Sequence, residues 1–176
     1  FLRVGGQSCI CANRIYVQAG VYDAFAEKLA ARVAALKVGD GFEAGVQAGP
    51  LITEKAVEKV EAHIADAVEK GARVAIGGRR SALGGTFFEP TILSGVVPGM
   101  TLFLEETFGP VVAVYPFSTN QQAIELANAT EYGLNSSIWS RDTELALRMA
   151  TRLQSGTVNI NEAYAAAWGS VEGPIG

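Results

Sequence analysis

Two cysteines, Cys9 and Cys11, lie one residue apart after the paired glycines Gly5 and Gly6, and the sequence contains no others. Thiols in such a segment could ligate a metal, form a disulfide or act as a nucleophile. Cysteine is also commonly a small buried hydrophobic residue, an interpretation that suits Cys11 because it leads toward a predicted strand. Cys9 follows backbone that can approach a ligand closely, but the residue types alone leave its role open.

A metal site is the least favoured of these interpretations. Structural zinc sites use four ligands, most often two cysteine pairs or cysteines with added histidines. The sequence has a single histidine, His63, in the middle of a helical segment rich in Glu and Lys. We therefore predict no metal site and interpret His63 as a residue of the helix surface.

Composition and charge narrow the classes of partner. The formal net charge is -4 and no basic cluster exceeds Arg79 and Arg80, so we expect no nucleic acid partner. Apolar runs such as 111–114 are too short to cross a bilayer, so we expect no membrane partner. No signal peptide is recognisable and two cysteines cannot form the disulfide framework of a small secreted protein, which favours a cytoplasmic location.

Strands alternate with amphipathic helices along the sequence. Runs of β-branched and aromatic residues predict extended segments at 14–18, 73–76, 87–93, 111–117, 135–140 and 157–160. Apolar residues at helical spacing predict helices at 21–36, 53–71, 120–129 and 142–153, with Thr53 and Ser118 as N-caps. This alternation predicts an α/β fold with a three-layer, open, mostly parallel sheet and helices on both faces, in one domain over residues 1–176.

Two of these elements carry more specific predictions. The nearly all-apolar run 111–117 is typical of a strand covered on both faces. The buried face of the helix after Thr53 is predicted to comprise Ala56, Val57, Val60, Ile64 and Val68.

Six motifs together resemble the aldehyde dehydrogenase superfamily. Residues 2–9, which end in Gly-Gln-Ser-Cys, are similar to its cysteine signature, and residues 105–111 are similar to its Glu-Glu-x-Phe-Gly-Pro motif. Their order and their separation of about a hundred residues also match the family. The further matches are 49–52, 88–91, 131–134 and 155–161. One departure is Val4, which stands where the family usually has asparagine.

The resemblance implies a role for each of four residues. Cys9 would be the nucleophile that forms a thiohemiacetal and then a thioester with a small aldehyde. Glu106 would bind the ribose of a nicotinamide cofactor, NAD or NADP, and Phe108 would lie beside its ring. The Cys-x-Cys form is most similar to the succinate-semialdehyde dehydrogenase branch, in which Cys11 could pair with Cys9 in a reversible disulfide.

Several parts that this chemistry needs are not recognisable in the sequence. There is no dinucleotide-binding fingerprint, since the glycine pairs 77–78 and 84–85 lack a strand–loop–helix context. The family's glutamate base and asparagine oxyanion donor would precede Cys9. We therefore expect a piece of a longer protein, a homo-oligomer when complete, and no aldehyde oxidation by the piece alone. Trp168 and Glu172 are candidates for lining the substrate tunnel.

Two other functions are alternatives to this one. A cysteine-based acyl hydrolase would need a histidine base near Cys9, and His63 lies on a charged helix. A non-catalytic redox sensor would rest on the Cys9–Cys11 spacing alone. The residues immediately before Phe1 would discriminate best between these hypotheses.

Overall fold

The computed structural model describes residues 1–164. The larger of its two sheets has four strands. Its strands are β1 (Arg14–Gln18), β2 (Arg73–Ile76), β3 (Thr91–Ser94) and β4 (Val111–Phe117). Their order across the sheet is β1-β4-β3-β2. Strands β3 and β4 are parallel, with Thr91 opposite Val111, whereas β2 joins β3 in the antiparallel sense. The antiparallel edge strand agrees with the mostly parallel sheet predicted from the sequence.

Helices cover both faces of β4, as predicted. Successive strand side chains point to opposite faces, and β4 packs accordingly into two separate clusters. Val111, Ala113 and Tyr115 lie in the cluster that contains the buried face of α2 (Glu54–Glu69). Val112 and Val114 lie in the cluster that contains Val33 of α1 (Tyr22–Ala34). This placement explains why the first five residues of β4 are all buried.

Helix α2 follows its prediction with two corrections. Thr53 caps the helix, because its side chain accepts a hydrogen bond from the backbone N–H of Ala56. Val57, Val60 and Ile64 are buried as predicted, but Val68 is 46% exposed and His63 is only 4% exposed. The buried stripe continues through Ala67, three residues after Ile64, so Val68 falls beside it. His63 lies three residues after Val60 and therefore falls on the stripe.

The remaining elements form a second, smaller group. The chain divides into two compact units, Phe1–Pro116 and Phe117–Gly176, the second described as far as Tyr164. The second unit contains α4 (Asn120–Asn128), β5 (Asn135–Ile138), α5 (Thr143–Ala150) and β6 (Thr157–Ile160). Strands β5 and β6 form a two-stranded parallel sheet. A short helix, α3 (Thr101–Leu104), precedes β4 in the first unit. That residues 1–176 act as one catalytic domain stays a prediction.

Some predicted boundaries were too long and one cap was wrong. The extended segment 87–93 forms a strand only at its end, and the strand predicted at 135–140 stops at Ile138. Thr119, not Ser118, caps α4 by accepting from the backbone N–H of Gln122. Ser118 instead donates its own backbone N–H to the side chain of Gln122. Among residues 1–164, no helix is both long and apolar enough to cross a membrane.

Candidate functional site

Cys9 is the exposed residue at the turn that follows a 3-10 helix (Arg3–Gly6) and leads to β1. The helix and this turn, residues 3–11, form one segment, the cysteine turn. The backbone N–H of Cys11 donates to the carbonyl of Ser8 at 2.9 Å, which closes the turn around Cys9. The Cys9 side chain is exposed, whereas Cys11 is partly buried and its thiol donates to the carbonyl of Arg3 at 3.3 Å. Both thiols are free. The geometry therefore gives access to Cys9 and a structural hydrogen bond to Cys11, and a disulfide between them stays a prediction.

Gln7 ties the cysteine turn to the 49–52 motif. Its side-chain oxygen accepts from the backbone N–H of Ile52 at 2.9 Å, and its nitrogen donates to the carbonyls of Val4 and Pro50 at 3.1 and 3.4 Å. One amide thus uses both its donor and acceptor groups to hold two separate loops together. The motif that contains Gln7 does not by itself indicate this contact.

Gly6 brings the cysteine turn against the 105–111 motif. A Cβ atom at Gly6 would lie under 3.0 Å from the backbone carbonyl of Gly109, a separation that real Cβ atoms essentially never show. Gly109 is itself buried, and a Cβ there would clash with the side chain of Val60 on α2. The two glycines therefore let residues 105–111 pack closely against the cysteine turn at one contact and against α2 at the other. Cys9 follows this contact by three residues, and the other two predicted site residues, Glu106 and Phe108, precede it by no more than three.

The segment that carries Glu106 and Phe108 is held in an unusual conformation. Phe108 has φ +55°, in the left-handed region that a bulky residue rarely adopts, and the residue is 39% exposed. Glu106 is partly buried, and its backbone carbonyl accepts from the ammonium group of Lys59 at 2.6 Å. Such backbone strain persists where surrounding contacts over-determine it and is found preferentially at functional sites. The segment thus carries a carboxylate and a flat apolar ring two residues apart.

His63 is a buried support of this segment, which corrects its predicted place on the helix surface. Its Nδ1 lies 3.1 Å from the hydroxyl of Thr107, which is also only 4% exposed. Its Nε2 lies 3.7 Å from the exposed carboxylate of Glu105. Burial lowers the pKa of His63, the positive charge of Lys59 lowers it further, and Glu105 and Asp66 act weakly in the opposite direction. The signal that sequence reasoning missed is the three-residue spacing from Val60.

We expect the stability of the protein to depend on pH through His63. Because the pKa of His63 is lowered in the folded state, the unfolded chain takes up its proton first as pH falls below about 6.5. The contribution to stability is therefore complete above that pH and is lost as pH falls through the folded pKa. Between pH 7 and 5 the unfolding midpoint should fall more for the wild type than for His63→Gln. Equal falls in the two proteins would contradict this assignment.

Val4, the departure from the family pattern, lies in an unfavourable backbone conformation. It has φ +52° and is 68% exposed, so a β-branched residue occupies left-handed backbone with no burial to compensate. Asparagine tolerates this conformation far better than valine.

We therefore expect Val4→Asn to raise the free energy of unfolding by about 1 kcal/mol, the cost of the left-handed region for an ordinary residue. The measurement is the unfolding midpoint of the full-length protein. Val97→Asn is the matched control, because Val97 is an exposed valine without positive φ. A rise of the same size in both variants would show that the backbone conformation is not the cause.

The motifs of the second unit also meet within that unit. A Cβ at Gly133 would clash with the backbone carbonyl of Gln154, and the N–H of Gly156 donates to the carbonyl of Gly133 at 2.8 Å. The Asn161 side chain bonds to both backbone groups of Ser140. These contacts join the 131–134 motif to the 155–161 motif. The predicted tunnel residues Trp168 and Glu172 lie outside the described residues.

Residues 1–164 contain no group of three or more His, Cys, Asp or Glu side chains that could hold a metal ion. The thiol of Cys11 donates to the carbonyl of Arg3, and His63 lies within hydrogen-bond distance of the hydroxyl of Thr107.

Known proteins resemble the chain over nearly its whole length. A 3-sulfolactaldehyde dehydrogenase of Pseudomonas putida is 55% identical over 161 residues, which is 92% of this chain and 33% of that protein. An NADP(+) succinate-semialdehyde dehydrogenase of Escherichia coli is 52% identical over 90% of this chain and 33% of its own. The crystal structure of succinate-semialdehyde dehydrogenase from Burkholderia pseudomallei superposes with a TM-score of 0.88 at 52% identity, covering 91% of this chain and 33% of that one.

The chain therefore spans about a third of the length of the curated relatives that it matches. A model of the aldehyde dehydrogenase family matches residues 1–175. With a match of that extent, and with the six motifs in family order on the fold described above, the chain belongs to the aldehyde dehydrogenase family.

Proposed function

We propose that the full-length protein oxidises a small aldehyde to its carboxylate with NAD or NADP, and that succinate semialdehyde is the first substrate to test. The observation that carries this proposal is the contact of Gly6 with Gly109, which brings the exposed thiol segment of Cys9 against the segment of Glu106 and Phe108. The two named relatives act on aldehydes that also carry an acidic group, and this supports a small anionic aldehyde.

Cys9 is proposed as the nucleophile. Its thiolate would add to the carbonyl carbon of the aldehyde and form a thiohemiacetal, with its own backbone N–H as one donor to the oxyanion. A bound NAD or NADP would accept the hydride from that carbon. Loss of the hydride leaves a thioester on Cys9, and water then releases the carboxylate and regenerates the thiol. Sulfur suits both halves because a thiolate is a strong nucleophile and a good leaving group.

Glu106 and Phe108 are proposed to hold one edge of the cofactor. A carboxylate can accept from both hydroxyls of a ribose, and the partly buried Glu106 is of the right type for this contact. The exposed ring of Phe108 offers a flat apolar surface to the nicotinamide. The left-handed backbone at Phe108 supports a functional rather than a packing role for that ring.

The rival functions receive less support from the geometry. An acyl hydrolase would need a histidine base, and His63 is buried in contact with Thr107. A redox sensor would be favoured by a contact between the two thiols, but Cys11 is bonded to Arg3. No specific observation favours either alternative over aldehyde oxidation.

The experiment is an absorbance assay of the full-length protein with NAD or NADP and a panel of aldehydes. The panel contains succinate semialdehyde, glutarate semialdehyde and an uncharged aldehyde of similar length. We expect reduced nicotinamide to form fastest with an acidic aldehyde. Formation with none of them would refute the proposal, and equal rates with the uncharged aldehyde would refute the preference for an acidic group. Sedimentation and cell fractionation of the same protein would test the expected homo-oligomer and cytoplasmic location.

A further inference from the structure

Two side chains of α2 reach the segment that presents Glu106 and Phe108. Lys59 and His63 are four residues apart, so they lie on the same side of the helix one turn from each other. Lys59 donates to the carbonyl of Glu106 at 2.6 Å, and His63 lies 3.1 Å from the hydroxyl of Thr107. The two contacts therefore fall on the two successive residues that immediately precede Phe108.

The contact between His63 and Thr107 is the less ordinary of the two. Both residues are 4% exposed, and the only other buried polar or charged residue of comparable burial among residues 1–164 is Thr91 in the sheet. A buried polar group stabilises the fold only when its hydrogen-bond partner is in place. A buried pair therefore favours the one geometry in which the two groups meet. The pair lies directly before a residue with strained backbone, at φ +55°.

We propose that His63 and Thr107 are positioning residues for the cofactor edge, fixing the backbone that aims Glu106 and Phe108. The inference rests on the proposed function, because it assumes that this edge binds a nicotinamide cofactor. Neither residue needs to touch the cofactor. Their hydrogen bond would lower the free energy of the conformation in which the Glu106 carboxylate and the Phe108 ring are presented together, and Lys59 would support it from the exposed side.

Close packing also fixes the same segment at Gly109. Gly109 lies against Val60 of α2 and against Gly6 of the cysteine turn. This packing acts on Gly109 itself and not on the residues that precede it. The hydrogen bonds from α2 act on those preceding residues, so the two sets of contacts have different tasks.

The test uses the full-length protein and the variant Thr107→Val, which removes the hydroxyl at nearly constant volume. We expect the KM for the cofactor to rise about three- to tenfold with kcat at saturating cofactor nearly unchanged, the range that corresponds to one hydrogen bond. Thr107→Ser keeps the hydroxyl and should restore the wild-type KM. In the protein without cofactor, hydrogen exchange of the peptide 105–110 should be faster in Thr107→Val than in the wild type.

Thr91→Val is the matched control. Thr91 is a fully buried threonine whose hydroxyl bonds to the N–H of Gly78 and the carbonyl of Glu89. Its backbone N–H donates to the carbonyl of Pro110, a bond that valine keeps. It should lower stability without raising the KM for the cofactor. If Thr91→Val raises that KM as much as Thr107→Val, or if Thr107→Val leaves it within twofold of the wild type, the positioning role is wrong.

Two further arms keep the test decisive. If Thr107→Val does not fold, His63→Leu removes the other partner of the same hydrogen bond and should raise the same KM, and an unchanged KM would then overturn the inference. Glu106→Gln is the reference for loss of a direct cofactor contact. A wild-type protein that neither oxidises aldehydes nor binds NAD or NADP refutes the proposed function itself, whereas an active wild type with unaffected variants refutes only the positioning role.

Discussion

Replacing Cys9 by alanine in the full-length protein is expected to reduce aldehyde oxidation by at least about 10³-fold, because removal of a covalent nucleophile leaves only binding and electrostatic contributions. The exposed position of Cys9 in a closed turn is what a thiol that must meet a substrate requires. The measurement is kcat/KM for the best aldehyde, followed as reduced nicotinamide.

Cys11→Ala is the matched control, since it removes the same side chain two residues away. Its thiol is partly buried and donates to the carbonyl of Arg3, so its loss should cost some stability and leave most of the activity. Alkylation with iodoacetamide should modify Cys9 before Cys11 for the same reason. Equal loss of activity in the two variants would rule out the assignment of the nucleophile.

The main features of the fold were predictable from local sequence patterns. The continuous apolar run of β4 indicated burial on both faces, and its side chains do pack alternately against α1 and α2. The cap at Thr53 was predictable because its chemistry involves only the first turn of the helix. The antiparallel direction of β2 and the separation of the strands into two sheets depend on contacts distant in sequence, which no local pattern specifies.

The candidate site was predictable as a set of motifs but not as an arrangement. The resemblance located Cys9, Glu106 and Phe108, yet it did not say what holds them. The supports are a glutamine amide, a pair of glycines and a buried histidine, and each of these residue types has an ordinary structural explanation when it is read alone. His63 was predicted to lie on the helix surface because the surrounding sequence is rich in Glu and Lys. Its spacing of three residues from Val60 nevertheless places it on the buried stripe of the helix.

Gly6→Ala is expected to be the most damaging single-methyl change in the cysteine turn. Gly6 has φ +78°, so an alanine there costs about 1–2 kcal/mol in backbone conformation. Its Cβ would also clash with the backbone carbonyl of Gly109, and overpacking of this kind typically costs a further ~1–3 kcal/mol. Since the clash involves backbone on both sides, it cannot be relieved by a side-chain rotation.

Gly5→Ala separates the two causes, because Gly5 has a similar φ of +64° but a Cβ there would meet nothing closer than the Gln7 side chain at 3.4 Å. It should bear the conformational cost alone and keep its activity within a few fold of the wild type. Gly6→Ala must in addition push the cysteine turn away from Glu106 and Phe108, and a displacement of about 1 Å can cost about 10²-fold in rate. Unfolding midpoints and kcat/KM of both variants test this. If the two alanines have the same effect, left-handed backbone alone accounts for both glycines, and close approach of the two segments is not what the activity requires.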